Sequence, residues 1–249
     1  MQRFFIDNQF IHNDRVEFPP AVTHQIELVL RLDLLADTVI VLDNSGMEYL
    51  VGLAGKEGRA LMGEVLESSP GRSEPTVNLH LCFSLTKREK VEWILQKGTE
   101  IGVAIFRPFV SERSLDRNLK LDEAKKNRWQ AIIREAAEQS SRSILPELAD
   151  VASFQSAIKT SIENCSRLIA WEEANYSNQI TRQRLADREG KLCRNVLLLI
   201  GPEGGFSAGE VAQAEANGFT QVSLGSRILR METACIAASA VIFHLADSW

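Results

Sequence analysis

From about residue 77 onward, short apolar runs alternate with amphipathic segments, and that rhythm limits the possible folds more tightly than any other feature of the chain. Leu79, Leu81, Phe83 and Leu85 alternate as a strand. Thr86-Lys-Arg-Glu89 has the form of a capping box, Thr with Glu three residues on, and opens a helix carrying Val91, Ile94 and Leu95. Ala104 to Val110 reads as the next strand, and a long helix is expected from about Asp122 to Ser141. Arg167 to Trp171 and Asn195 to Ile200 are apolar runs of the kind that central parallel strands require. Ser207-Ala-Gly-Glu210 is a second capping box, and Gly218 stops its helix. Thr220 to Leu224 is a further strand and Met231 to Ala246 the last helix. The expected fold class is α/β, a parallel sheet with helices on both faces.

The first seventy or so residues follow a different pattern. Arg3 to Ile6 and Thr38 to Leu42 are runs of β-formers, and Asp43-Asn-Ser-Gly46 followed by Met47 to Val51 is a hairpin signature. A short helix is expected from Val22 to Leu32, after Pro19-Pro20. Ser68-Ser-Pro-Gly-Arg-Ser-Glu-Pro75 has no periodicity and two prolines around a glycine, which marks a linker. The expected domains are therefore 1–72, β-rich, and 75–249, α/β.

Composition narrows the function classes. Apolar residues make up 45% of the 249, enough for a sizeable core. No stretch is long and apolar enough to span a bilayer, and the opening Met1-Gln-Arg-Phe-Phe-Ile-Asp7 lacks an apolar core followed by a cleavage site, so the chain reads as cytosolic. Cys82, Cys165, Cys193 and Cys235 are scattered among apolar neighbours, and the four histidines are equally dispersed, so free buried thiols and no metal site are expected. The net charge is -5, but it is uneven: residues 1–74 carry 6 basic and 12 acidic groups, whereas 84–145 carry 13 basic and 9 acidic. Any face for a polyanion is local to that middle segment, unless its helices are simply solvated.

In open α/β sheets ligands bind beyond the carboxyl ends of the strands. Two loops combine that position with unusual chemistry. Gly201-Pro-Glu-Gly-Gly205 follows the most apolar strand, and its glycines let backbone approach a ligand closely. It has neither the Lys of a phosphate loop nor the spacing of a dinucleotide fingerprint, and a tight turn without ligand is its plain alternative. Leu224-Gly-Ser-Arg-Ile-Leu-Arg230 also leads into a helix, where Glu232 suits the helix dipole and the two arginines do not. Elsewhere Lys97, Glu100, Arg113, Glu138, Gln139 and Arg142 either meet at a cleft or lie on solvated helix faces.

Taken in order, Gln96-Lys-Gly-Thr-Glu-Ile-Gly-Val103, Ser111-Glu-Arg-Ser114, Glu135-Ala-Ala-Glu-Gln139 with Arg142 and Pro146, and the two loops with Glu232-Thr-Ala234 resemble the RsmE family over essentially the whole chain. The opening Arg3-Phe-Phe and the run from His24 to Arg31 are also similar to its N-terminal domain. The resemblance implies a PUA-like β-barrel followed by a SPOUT domain with a trefoil knot, a homodimer, and methylation of N3 of one uridine in small-subunit (16S) ribosomal RNA. It implies S-adenosylmethionine as cofactor, held by Ile200, Gly201, Gly205, Leu224, Gly225, Ile228, Leu229 and Arg230. Gly98 and Ile101 stand where the family usually has Ala and Leu, and Met231 where Thr is frequent.

Methylating N3 means removing an imide proton from an unpaired base edge, and an arginine near the uracil oxygens would stabilise the resulting anion. Arg230 is the first candidate for that cation and Arg142 the second, with Glu232 as base or orienter. Two other functions fit the same residues: a SPOUT enzyme acting on tRNA or a ribose hydroxyl, and a noncatalytic ribosome-assembly factor. A phosphate hydrolase lacks the Lys and metal-ligand spacing it needs.

Overall fold

The computed structural model describes residues 1–12, 14–117 and 119–247. The chain forms two units, Met1–Glu74 with Ala137–Leu145, and Pro75–Ala136 with Pro146–Trp249.

In the first unit, β1 (Arg3–Phe5), β2 (Ile11–His12), β3 (Arg15–Phe18), β4 (Thr38–Leu42), β5 (Met47–Glu57) and β6 (Ala60–Pro70) form one sheet in the order β1-β4-β5-β6-β3-β2. β1 lies parallel to β4, and the other pairs are antiparallel. The β4–β5 hairpin turns where its residues demand: Asp43 Oδ1 accepts the Ser45 N–H at 2.9 Å, and Asn44 and Gly46 take φ of 65° and 91°. The linker signal proves misleading at its start. Ser68, Ser69 and Pro70 end strand β6, because they pair with Tyr49, Glu48 and Met47 across the hairpin. Helix α1 (Pro20–His24) starts on the second of the two prolines and continues as one π-helical turn, Gln25–Val29. Phe4, Val16, Phe18, Ile26 and Val41 fill the core beneath the sheet.

Residues 137–145 belong to this unit through specific bonds. Glu138 Oε1 accepts the Phe5 N–H at 3.0 Å, and Asn44 Oδ1 accepts the Leu145 N–H at 2.6 Å. Arg142 is 3% exposed, and its Nη2 donates to Glu74 Oε2 at 2.7 Å. The other Glu74 oxygen accepts the N–H groups of Ser143 and Ile144 at 2.9 and 3.0 Å.

In the second unit, β7 (Asn78–Ser84), β8 (Ile105–Val110), β9 (Glu147–Leu148), β10 (Ala152–Ser153), β11 (Cys165–Ala170), β12 (Asn195–Ile200) and β13 (Thr220–Val222) pair in parallel throughout. The order is β10-β8-β7-β12-β11-β13, with β9 also on β8. Strand β12 is flanked on both sides, and Val196 to Ile200 are at most 3% exposed, which is why its sequence is continuously apolar. Successive side chains feed two cores. Val196 and Leu198 join Leu79, Leu81 and Phe83 under α2 (Arg88–Glu100), α3 (Glu123–Gln139) and α6 (Met231–Leu245). Leu197 and Leu199 join Phe109, Phe206 and Phe219 under α4 (Phe154–Ile158) and α5 (Ala208–Ala216). The expected helices on both faces are present, and α5 carries the full capping box of Ser207 and Glu210.

The other capping box does not form. Helix α2 begins one residue late on Lys87, which gives no side-chain cap, and the Thr86 hydroxyl is directed elsewhere. On α2, a Cβ at Gly98 would lie 2.7 Å from the Phe106 ring. The space beside Gly98 is thus filled by an aromatic from β8. Gly98→Ala gains about 1 kcal/mol of helix propensity and meets an overpacking cost of about 1–3 kcal/mol. The expected outcome is a lower urea midpoint, and a higher one would mean that Phe106 repacks freely.

Cys82, Cys193 and Cys235 are buried and Cys165 half-buried, all as free thiols. Burial pushes the Cys82 thiol up to about 12, so it stays protonated and inert. Among the described residues, no helix is long and apolar enough to cross a membrane.

Candidate active site

Three parallel strands, β11, β12 and β13, end at one cavity of about 740 Å³. The volume lies in the range of small-molecule sites. Its walls are the loops that leave those strands: 170–176, 200–205 and 223–231. Because β12 is bordered by β11 and β7, and β13 lies beyond β11, the sequence order of the strands reverses here. That reversal opens a crevice at the carboxyl ends.

The glycine loop is shaped by its neighbours. Gly205 has φ of 69°, and its N–H donates to Pro202 O at 2.9 Å, closing the turn. A Cβ there would occupy the space held by the Glu172 carboxylate. Arg113 Nη1 donates to Gly204 O at 2.8 Å, and Glu210 Oε1 accepts the Glu112 N–H at 2.9 Å. The Ser111-Glu-Arg-Ser114 segment therefore buttresses this loop. Its own turn is held by the Ser114 hydroxyl, which accepts the Ser111 N–H at 2.8 Å and lies 2.6 Å from Ser84 Oγ.

The arginine loop is the reverse case, with little holding its side chains. Gly225 takes φ of 106°, and nothing lies within 4 Å of where its Cβ would be. Ile228 is 89% exposed on the cavity's edge. Arg230 occupies the N-cap of α6 in extended backbone without making a cap hydrogen bond. Among the described residues, neither the Arg227 nor the Arg230 guanidinium has a hydrogen-bond or ion-pair partner. Two unpaired cations at the positive end of a helix dipole are costly to the fold, so folding does not explain them.

Behind the loops, one ammonium joins two carboxylates. Lys90 Nζ lies 2.9 Å from Glu203 Oε1 and 3.3 Å from Glu232 Oε2. The first contact is a hydrogen bond. The second is an ion pair outside hydrogen-bond angles, since the buried Glu232 Oε2 has no directional donor. Thr86 Oγ1 also donates to Glu203 Oε1, at 2.5 Å. Burial alone would raise the Glu203 carboxyl, but the bonds from Thr86 and Lys90 outweigh it and hold the group below its ordinary value. The hydrogen bond to Glu203 likewise holds Lys90 above the ordinary lysine value, with Glu232 adding to it.

All eight positions expected to hold a cofactor line this one cavity, although they come from two loops separated in the chain by helix α5 and strand β13. The three candidates for chemistry separate. Arg230 lines the cavity. Glu232 lies outside the lining, with its carboxylate toward Lys90. Arg142 is in the first unit, bound to Glu74, and does not line the cavity. Lys97 and Glu100 pair with each other on α2 at 2.8 Å, the solvated-face alternative. The third loop, with Trp171, Glu172 and Tyr176 in the wall, went unmarked in the sequence. Its position after an apolar strand was the available signal. Among the described residues, no group of His, Cys, Asp and Glu is arranged to hold a metal ion.

Residues 72–243 match the family described as RNA methyltransferase domain. The ribosomal RNA small subunit methyltransferase E of Bacillus subtilis (strain 168) is 31% identical over 98% of this chain and 96% of its own length. The protein of the same name from Synechocystis is 33% identical over 94% of this chain and 74% of its own. The crystal structure of the Neisseria gonorrhoeae protein of that name, bound to S-adenosyl methionine, superposes with a TM-score of 0.83 at 28% identity, covering 98% of both chains.

Proposed function

Since the chain belongs to the RsmE family of ribosomal RNA small subunit methyltransferases, we propose that its cavity holds S-adenosylmethionine and that it methylates N3 of one uridine in 16S ribosomal RNA. The observation that carries the reading is the convergence of the glycine and arginine loops on one cavity at the carboxyl ends of β11, β12 and β13. The cavity suits the donor. Glycine backbone at Gly201 and Gly205 admits close approach, and Ile200, Leu224 and Leu229 supply apolar wall. When bound, the donor supplies an electrophilic methyl on a sulfonium, whose bond to sulfur breaks with both electrons staying on sulfur.

The chain's own residues then have to make the uracil imide a nucleophile. Arg230 is assigned to the uracil oxygens, where its charge lowers the cost of the imide anion and lets the proton pass to water. Glu232 is assigned as an orienter: with Glu203 it holds Lys90, and through it the glycine loop to the start of α6. Ion-paired and outside the cavity lining, Glu232 is poorly disposed to act as base. Arg142 is left out of the chemistry.

We further read the second unit as a knotted SPOUT domain, which the strand order β7-β12-β11-β13 supports, and the first as a PUA-like RNA-binding domain. The proposed homodimer would cover the outer face of α6, where half-buried Ile236, Ala237 and Ala240 and the 43% exposed Val241 leave an apolar stripe. The cytoplasm is the compartment that fits an enzyme acting on ribosomal RNA.

The test is transfer of labelled methyl to small-subunit RNA that lacks the modification, with the product mapped by mass spectrometry. A single N3-methyluridine is the expected result, accompanied by a partial loss of rate in Glu232→Gln. Methyl on tRNA or on a ribose hydroxyl would move the chain to another branch of SPOUT enzymes. Binding of RNA without donor binding would make it an assembly factor.

A further inference from the structure

The charged groups in the cavity wall are arranged by sign. Arg227 and Arg230 stand on the loop after β13 without partners among the described residues. Two acids line the remainder, Glu172 and Glu203. Glu203 is ion-paired to Lys90, which it shares with Glu232, and accepts a hydrogen bond from Thr86. Glu172 is exposed, and among the described residues its carboxylate has no hydrogen-bond or ion-pair partner. It lies over Gly205 in space that a side chain at that position would fill. The bare Cα of Gly205 and its φ of 69° thus give one uncompensated carboxylate a seat on the loop itself. A cavity so built suits a ligand with an anionic end near Arg227 and a cation elsewhere.

Resting on the methyl-donor reading of this cavity, we propose that Glu172 reads the charge on the donor sulfur and so makes the chain bind S-adenosylmethionine in preference to the spent product, S-adenosylhomocysteine. The two ligands share the adenosine, the amino group and the carboxylate. They differ by one methyl and the positive charge it carries. A fixed negative charge in the wall stabilises the sulfonium by Coulomb attraction and gives the neutral thioether no such gain. Preference for donor over product then needs no movement of the loops. Gly205 leaves room for the carboxylate beside the loop, because any side chain there would displace it.

The experiment is calorimetric binding of each ligand to the full-length chain, without RNA. For Glu172→Gln, affinity for S-adenosylmethionine is expected to fall about tenfold, between the values for exposed and desolvated charge pairs. Affinity for S-adenosylhomocysteine is expected to change less than about twofold on the same reasoning. Glu173→Gln, beside it but outside the cavity lining, is expected to leave both affinities unchanged. Gly205→Ala keeps the charge but moves it, and is expected to narrow the preference as well. An equal loss for both ligands in Glu172→Gln would mean that the carboxylate reads a shared group such as a hydroxyl, and would overturn the proposal, as would no change for either. If the unaltered chain binds neither ligand, the methyl-donor reading itself fails and this proposal falls with it. Thermal melting of each variant separates loss of binding from loss of fold.

Discussion

Arg230→Ser is expected to slow methyl transfer by about 10²–10³-fold and at the same time to stabilise the folded chain by about 0.5–2 kcal/mol. The two effects have opposite signs for one reason. Arg230 is the N-cap of α6, with φ of -64° and ψ of 150°, the backbone that a capping serine uses. A serine hydroxyl there accepts a free N–H of the first turn, whereas arginine accepts nothing and adds a cation at the positive end of the dipole. A residue that makes its helix worse and lines the cavity has a task other than folding. If that task is to stabilise the uracil anion, the loss falls on turnover, and donor affinity measured by calorimetry stays within a few-fold. Urea unfolding reads the gain in stability. A variant that is both slower and less stable would contradict the capping argument, and one with unchanged turnover would remove Arg230 from the chemistry.

What was legible in the sequence follows from how local each signal is. The second unit's strands and helices were readable because a strand flanked on both sides such as β12 is apolar throughout its buried stretch, Val196 to Ile200. The glycine and arginine loops stood out because their composition is poor for a plain turn or helix start. The loop after β11 carries no such mark. Trp171, Glu172 and Tyr176 are ordinary surface residues until the sheet order brings them beside Gly205. Thr86 and Glu89 had the right spacing for a cap, but the Glu203 carboxylate, from a loop 117 residues away, takes the Thr86 hydroxyl instead. The long hairpin of β5 and β6 was also hidden. Gly52 and Gly55 interrupt β5 with residues that weaken a strand, and the pairing that overrides them lies across the turn.

The return of residues 137–145 to the first unit is the part that no local signal announces, and it bears on the last large effect. Arg142→Met is expected to destabilise the chain by about 3 kcal/mol, the lower end of the range for removing one partner of a buried pair. The lower end applies because the Glu74 side chain is 20% exposed and reaches some solvent, while that of Arg142 is 4% exposed. Once the guanidinium is gone, the carboxylate retains only the N–H groups of Ser143 and Ile144. Glu74→Gln alone leaves the guanidinium short of its charge partner and should cost a comparable amount. The double variant should cost clearly less than the sum, because the same pair is removed only once, and a double-mutant cycle in urea measures that coupling. In Arg142→Met that remains folded, donor affinity and methylation rate are expected to stay near those of the unaltered chain. A variant of normal stability with a methylation rate lowered a hundredfold would reverse the assignment: the guanidinium would then leave Glu74 for the uracil, and Arg142 would return to the chemistry in place of Arg230.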